Sequence, residues 1–393
     1  MESTVSTTPL HSDEHSDEST PLPRKSRRRQ SSPSSKVPGL QDDFYLNLLD
    51  WSSKEFLAVA VHTDVLIWKP NIGTGSTQSG GMGTSESPRD RCNLPNDDVV
   101  RLSSPPTSSP STGSSVSSIS WNNTQPLSHS LAVGRKSGGI EVWDVEMQKV
   151  IRTYGNHQHR VGVLDWYGHY LLSSGSRDKS IIHHDVRSPR NGIFKWERHD
   201  QEICGLRWCP SAIGLSDGTL ASGGNDNKVF IWQLGYDQPV MKLKEHGAAV
   251  KALSWCPSTC GVLATGGGTN DQCIRLWDVR CSNQPNEIQS GNSSAGISYG
   301  KLLTTVESGS QVGRKDISMY FSLLSKVCNL LWSKSTNQLL STHGFTLNQL
   351  ILWDFHDLKR STQLQDQPAR NSRSDFQQEH NHRVSLVKVR RFI

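Results

Sequence analysis

Ile203-Cys204-Gly205-Leu206-Arg207-Trp208, then Leu220-Ala221-Ser222-Gly223-Gly224-Asn225-Asp226-Asn227, then Val229-Phe230-Ile231-Trp232 decide the fold. Short apolar runs, two of them closed by tryptophan, alternate with turns rich in Gly, Asn and Asp, and that pattern predicts strands. It recurs along the chain. One tryptophan ends an apolar run at Trp51, Trp121, Trp166, Trp208, Trp255 and Trp332. A second closes a β-branched run at Trp68, Trp143, Trp232, Trp277 and Trp353. In the third unit His184 stands in that second place, and Trp196 lies outside the pairing. From Trp121 through Trp166 and Trp208 to Trp255 the period is about 45 residues, which means a repeat architecture.

A four-stranded unit of about 40 residues, closed on its third strand by tryptophan, is the signature of a WD40 blade. The expected fold is therefore all-β, a WD40 β-propeller with six recognisable blades and an incomplete seventh. That seventh would begin with Val384-Ser385-Leu386-Val387-Lys388-Val389. Within the blades, His199, Ser222, Asp226 and Trp232 are spaced as one hydrogen-bonded set, and His246, Thr265, Asp271 and Trp277 as the next. His157, Ser174 and Asp178 begin a third set that ends at His184. A buried carboxylate or imidazole is tolerable only when paired. Their even recurrence assigns these residues to structure and not to acid/base catalysis.

The 393 residues allow a large core, yet only 34% are hydrophobic, so part of the chain is expected not to pack. Residues 1–38 are expected to be a disordered tail, with acidic residues at Asp13, Glu14, Asp17 and Glu18. A basic run, Arg24-Lys25-Ser26-Arg27-Arg28-Arg29, follows and reads either as a nuclear import signal or as a solvated tail. The propeller is expected over 39–393. Low-complexity insertions are expected at about 70–115 and 281–308, with a strand-splitting insert at 313–326. Ser-Pro and Thr-Pro pairs, among them Thr20-Pro21 and Ser87-Pro88, fall in these segments, where a proline-directed kinase would reach them.

Several function classes are excluded. A net charge of +5 with scattered basic residues gives no nucleic-acid stripe. Eight cysteines without a C-x-x-C pair give neither a zinc framework nor a disulfide scaffold, so no metal or cofactor is expected. No apolar stretch of membrane-spanning length occurs, and the protein is expected to be soluble, without a membrane partner. Gly296-Ile297-Ser298-Tyr299-Gly300 matches a nucleophile elbow, but that motif needs a strand before it and a helix after it, and no βαβ pattern is present. Gly266-Gly267-Gly268 lacks the lysine and helix of a phosphate loop and reads as a turn. No catalytic residues are expected.

Particular words are more specific than the repeat. Gln41-Asp42-Asp43-Phe44-Tyr45-Leu46-Asn47-Leu48-Leu49-Asp50-Trp51-Ser52-Ser53 comes first. Leu171-Leu172-Ser173-Ser174-Gly175-Ser176-Arg177-Asp178, Ala264-Thr265-Gly266-Gly267-Gly268-Thr269 and Ser341-Thr342-His343-Gly344-Phe345 follow. Together they resemble the Fizzy and Fizzy-related family, the activators that bring substrates to the anaphase-promoting complex, over roughly Gly39 to Asp354. Asp42-Asp43-Phe44-Tyr45 leans to the Fizzy-related branch, and His183-His184-Asp185-Val186-Arg187 to Fizzy.

The resemblance implies substrate recognition without catalysis, in ubiquitin-dependent control of the cell cycle, mitosis or meiosis. It implies two partners, the anaphase-promoting complex and degron-bearing substrates of the cyclin kind, and a monomer in the nucleus and cytoplasm when outside the complex. It places a KEN-degron site at Asp50, Asn225, Thr269 and Gln311, where an ammonium would meet a carboxylate and Glu and Asn would meet donors and amides. The matching residue for a destruction-box arginine is Asp43. Residues 1–38 hold no match to the family's C-box, and the chain ends Phe392-Ile393 where the family ends Ile-Arg. Two alternatives therefore stand beside the activator: a degron-binding regulator that does not dock, and a general WD40 scaffold.

Overall fold

The computed structural model describes residues 39–41, 43–68, 99–103, 114–124, 129–188, 192–210, 218–283, 298–307, 326–333, 336–344, 350–354 and 360–364. The tail expected over 1–38, the expected insert at 313–326 apart from Lys326, and the strand expected over 384–393 lie outside these residues.

The described chain forms six four-stranded antiparallel units in sequence order, with no helix among the described residues. The first holds β1 (Leu49–Trp51), β2 (Leu57–Val61), β3 (Asp64–Trp68) and β4 (Val99–Leu102). The second holds β5 (Val116–Trp121), β6 (Ser130–Arg135), β7 (Ile140–Asp144) and β8 (Lys149–Tyr154). The third holds β9 (Val161–Tyr167), β10 (Leu171–Ser176), β11 (Ser180–Asp185) and β12 (Phe194–Glu197). The fourth holds β13 (Ile203–Trp208), β14 (Thr219–Gly224), β15 (Val229–Gln233) and β16 (Met241–Leu243). The fifth holds β17 (Val250–Trp255), β18 (Val262–Gly267), β19 (Cys273–Asn283) and β20 (Ser298–Glu307). The sixth holds β21 (Lys326–Trp332), β22 (Gln338–Gly344), β23 (Leu350–Asp354) and β24 (Arg360–Leu364).

First strands of consecutive units lie against one another, from β1 on β5 to β17 on β21, which sets them around a common centre in a propeller-like arrangement. The outer edges of the fourth and fifth units are joined where β16 pairs in parallel with the start of β20, Met241 opposite Ser298. Ser298 therefore begins a strand that runs on to Glu307, not the strand-to-helix turn a nucleophile elbow requires.

Two described strands fall inside spans where insertions were expected. β4 lies inside the span 70–115 and β20 inside 281–308. Both are the fourth strands of their units, and neither carries a tryptophan. In the second unit the inner three strands are buried along almost their whole length. By contrast β8 alternates between exposed and part-buried positions.

Apolar clusters fill the gaps between consecutive units, for example Ala221, Ile231, Leu253, Trp255 and Trp277 between the fourth and fifth. Three of the tryptophans near the ends of first strands stitch these interfaces with the same bond. Trp166 Nε1 donates to Ser120 O (3.1 Å), Trp255 to Arg207 O (3.0 Å) and Trp332 to Ser254 O (3.2 Å). In each case the acceptor is the residue just before the previous unit's own tryptophan, so one indole supplies both apolar area and a directed bond. Trp196, unpaired in the sequence pattern, stacks on Trp232 at 4.8 Å and 8° and donates to Tyr236 O, tying the third unit to the fourth.

The polar sets lie inside the units. His199 Nδ1 is 3.0 Å from Asp226 Oδ1, its Nε2 is 2.8 Å from Ser222 Oγ, and Trp232 Nε1 donates to the same hydroxyl at 2.8 Å. In the fifth unit His246 bridges Asp271 (2.6 Å) and Thr265 (2.6 Å), and Trp277 Nε1 donates to Thr265 Oγ1. In the third, His157 bridges Asp178 and Ser174, and His184 Nε2 lies 3.1 Å from Ser174 Oγ. Gly224 and Gly267 are required beside these pairs. A Cβ would stand 2.5 Å from Asp226 Oδ1 at the first and 1.8 Å from Asp271 Oδ2 at the second.

Candidate functional site

Each first strand runs from an end where the chain enters it, at Val161, Ile203 or Val250, to an end at its tryptophan. Lead-in residues Asp43 to Asn47 cross the entry end as a strap. Asn47 forms a parallel bridge to Ser118, and its Nδ2 donates to Gly162 O at 2.8 Å. The Leu46 carbonyl accepts from Lys251 Nζ at 2.8 Å, and the Phe44 ring lies under both Lys251 (5.5 Å) and Lys326 (4.9 Å). Burial pushes the Lys251 ammonium below its ordinary pKa, where it lines the central channel with Cys204, Asn329 and Arg207. Five residues of the strap thus touch units two to six, so their positions are set by the ring as a whole.

Arg160, immediately before β9, organises the polar part of this end. Its Nε and Nη2 donate to Glu202 at 2.6 and 2.9 Å, its Nη1 donates to Asp43 Oδ2 at 2.9 Å, and its guanidinium lies 5.1 Å from the Tyr45 ring centre. Hydrogen bonds to Glu202 hold the Arg160 pKa above its ordinary value. Burial, helped by Cys204 and Glu202, raises the Tyr45 phenol, which keeps its proton and donates to Asn225 Oδ1 at 2.7 Å. Asn225 is anchored further by its own amide on Glu202 O (2.8 Å) and its Nδ2 on Gln201 Oε1 (2.6 Å). Its left-over lone pair and second N–H remain for a ligand.

Thr269 lies on the equivalent turn of the fifth unit, since Gly268 N donates to Ala249 O just before β17. Asn225, Thr269 and Asp43 therefore share the entry end. Gln311 lies outside the described residues. Asp50 is not brought to the others. Its Oδ1 accepts from Trp51 N (2.9 Å) and its Oδ2 from Trp121 N (2.7 Å), at the tryptophan end of the first strands. Asn225 sits instead beyond β14, beside the start of β13, at the opposite end of the first strands. The same staple recurs where Asp165 Oδ2 accepts from Trp208 N at 2.6 Å. Burial pushes the Asp50 carboxyl up to about 6 against the two amide donors. Asp50→Ala leaves the Trp121 amide without its acceptor, and the expected loss is about 1–3 kcal/mol in chemical denaturation. Binding at the entry end should be unchanged.

Serine, histidine and aspartate do meet at Ser222, His199 and Asp226, at distances that would suit a nucleophile. Ser222 is wholly buried, however, and its oxygen already holds the Trp232 indole, so no substrate carbonyl can approach it. Among the described residues no group of three His, Cys, Asp or Glu is placed to hold a metal. What the entry end gathers is a set of amide, carboxylate, phenol and guanidinium groups from several units of the ring.

The CDC20/Fizzy WD40 domain model matches residues 36–322. FIZZY-RELATED 3 of Arabidopsis thaliana is 37% identical over 349 residues, 88% of this chain and 58% of that protein. CDH1 of Saccharomyces cerevisiae, named an APC/C activator protein, is 34% identical over 322 residues, 82% of this chain and 44% of that protein. This chain thus spans roughly half the length of these relatives. A chain in the crystal structure of the mitotic checkpoint complex is 32% identical, with a TM-score of 0.63, covering 85% of this chain and 87% of that one. The chain belongs to the CDC20/Fizzy WD40 family.

Proposed function

We propose that this chain is a substrate-recognition subunit of the anaphase-promoting complex, binding short degron peptides at the entry end of its propeller and performing no chemistry itself. The observation that carries this is the convergence of the Asp43–Asn47 strap with Asn225 and the turn holding Thr269, a receptor built from several units of the ring. The family, and the names of the relatives that activate or assemble around this complex, support the same reading. A lysine or arginine of the peptide would meet Asp43, whose side chain is 33% exposed, and not the stapled Asp50. Glu and Asn of a KEN motif would bond the Asn225 amide and the backbone around Thr269.

The test is retention on an immobilised Lys-Glu-Asn peptide. The folded wild-type chain should be retained, Asn225→Ala should weaken retention about tenfold through the loss of one partly buried polar partner, and Asp50→Ala should leave it intact. No retention of the wild type rejects the receptor. Co-precipitation with the anaphase-promoting complex then separates an activator from a regulator that binds degrons without docking.

A further inference from the structure

Two carboxylates, Asp43 and Glu202, share the single Arg160 guanidinium at the entry end, which leaves this trio a formal charge of −1. Burial decides where the excess is felt. Glu202 is the innermost at 9% exposure and occupies two guanidinium nitrogens, while Asp43, at 33%, has only Nη1 on one oxygen and the Tyr45 amide on the other. Nearby, Lys251 and Lys326 stand over the Phe44 ring and contribute positive charge to the same end of the ring. Without Glu202 the Asp43–Arg160 pair would be formally neutral, and the two lysines would have no excess carboxylate to offset them, so a cationic side chain would be drawn less.

Resting on the receptor reading above, we propose that Glu202 is a positioning residue that sets the receptor's preference for cationic peptides. By holding Arg160 on two nitrogens it stops that arginine from neutralising Asp43, so the Asp43 carboxylate keeps charge for an incoming lysine or arginine. Arg160 in turn holds the Tyr45 ring, and Tyr45 holds Asn225, so the geometry of the receptor and its charge are carried by different members of one network. The two are separable, because Glu202→Gln removes the charge and keeps an acceptor for Arg160.

The experiment measures dissociation constants of the full chain for two labelled peptides, one with a Lys-Glu-Asn core and one with norleucine in place of the lysine, at low and high ionic strength. The wild type should favour the lysine peptide about fivefold at low salt, with the preference shrinking as salt screens it. Glu202→Gln should abolish the preference and leave the norleucine peptide within about twofold of wild type. A merely structural role would weaken both peptides alike, and that result overturns the proposal. So does a folded Glu202→Gln variant that still favours lysine, or a wild type that binds both peptides equally. A wild type that binds neither sinks the receptor reading itself and this inference with it. Should Glu202→Gln fail to fold, Asp43→Asn, at the exposed end of the trio, must show the same loss of preference.

Discussion

His199→Ala should destabilise the protein by about 3–5 kcal/mol, and His246→Ala by clearly less, about 2–3 kcal/mol. The two sets look alike in sequence, but their carboxylates differ in company. Burial alone would raise the Asp226 carboxyl, and the His199 imidazole holds it below the ordinary carboxylate value. With His199 gone, Asp226, only 3% exposed, keeps just the amides of Asp200 (3.0 Å) and Lys228 (3.3 Å). Asp271 keeps Arg275, whose Nη1 lies 2.9 and 2.7 Å from its two oxygens. The order of urea midpoints at constant slope reads the difference, and equal losses would contradict the account of Arg275 as the backup charge. His199→Ala combined with Asp226→Ala should cost less than the two single losses added, because no buried carboxylate is then left unpaired.

The fold was legible in the sequence because every unit must fill the same wedge between neighbouring sheets, and tryptophan at a fixed place does so. Asn225 and Thr269 came from the family resemblance, and the structure sets them on equivalent turns of consecutive units, at the same end. The placement of Asp50 with them was a misreading of position along the strand. Asp50-Trp51 repeats Asp165-Trp166, and a residue just before the closing tryptophan must lie at the far end of the first strand from the Asn225 turn. Arg160 and Glu202 went unnoticed, although a signal existed: each follows its unit's network histidine at the same interval, as His157 to Arg160 and His199 to Glu202. Opposite charges at one repeat position of consecutive units predict a pair across the interface. No sequence pattern could reveal that Arg160 also reaches back to Asp43, because that contact spans the ring and depends on the strap.

Acidification should loosen the third unit first, and the cause is the pair that breaks the tryptophan pattern. His183 and His184 are fully buried, and burial pushes both imidazoles down to about 3 from the ordinary 6.5. Among the described residues His183 Nε2 and His184 Nδ1 have no hydrogen-bond partner, and the rings stack on Phe194 (4.1 Å) and Tyr154 (4.5 Å), so a proton added to either would be a charge facing aromatic carbon. The unfolded chain takes up those protons below pH 6.5 while the folded chain refuses them until near pH 3. Stability therefore falls as pH drops through that window, by about 2 kcal/mol per histidine at pH 5. Asp50 works the other way. Its folded value of about 6 lies above the ordinary 3.8, so acidification from pH 7 to 5 favours the folded state by roughly 1 kcal/mol. The two buried histidines outweigh it, and a net loss of stability is expected between pH 7 and 5. Replacing both by glutamine removes the titrating groups and should flatten or reverse that limb of the stability curve. If the double variant loses as much stability at pH 5 as the wild type does, the acid sensitivity arises elsewhere and these two imidazoles are not its source.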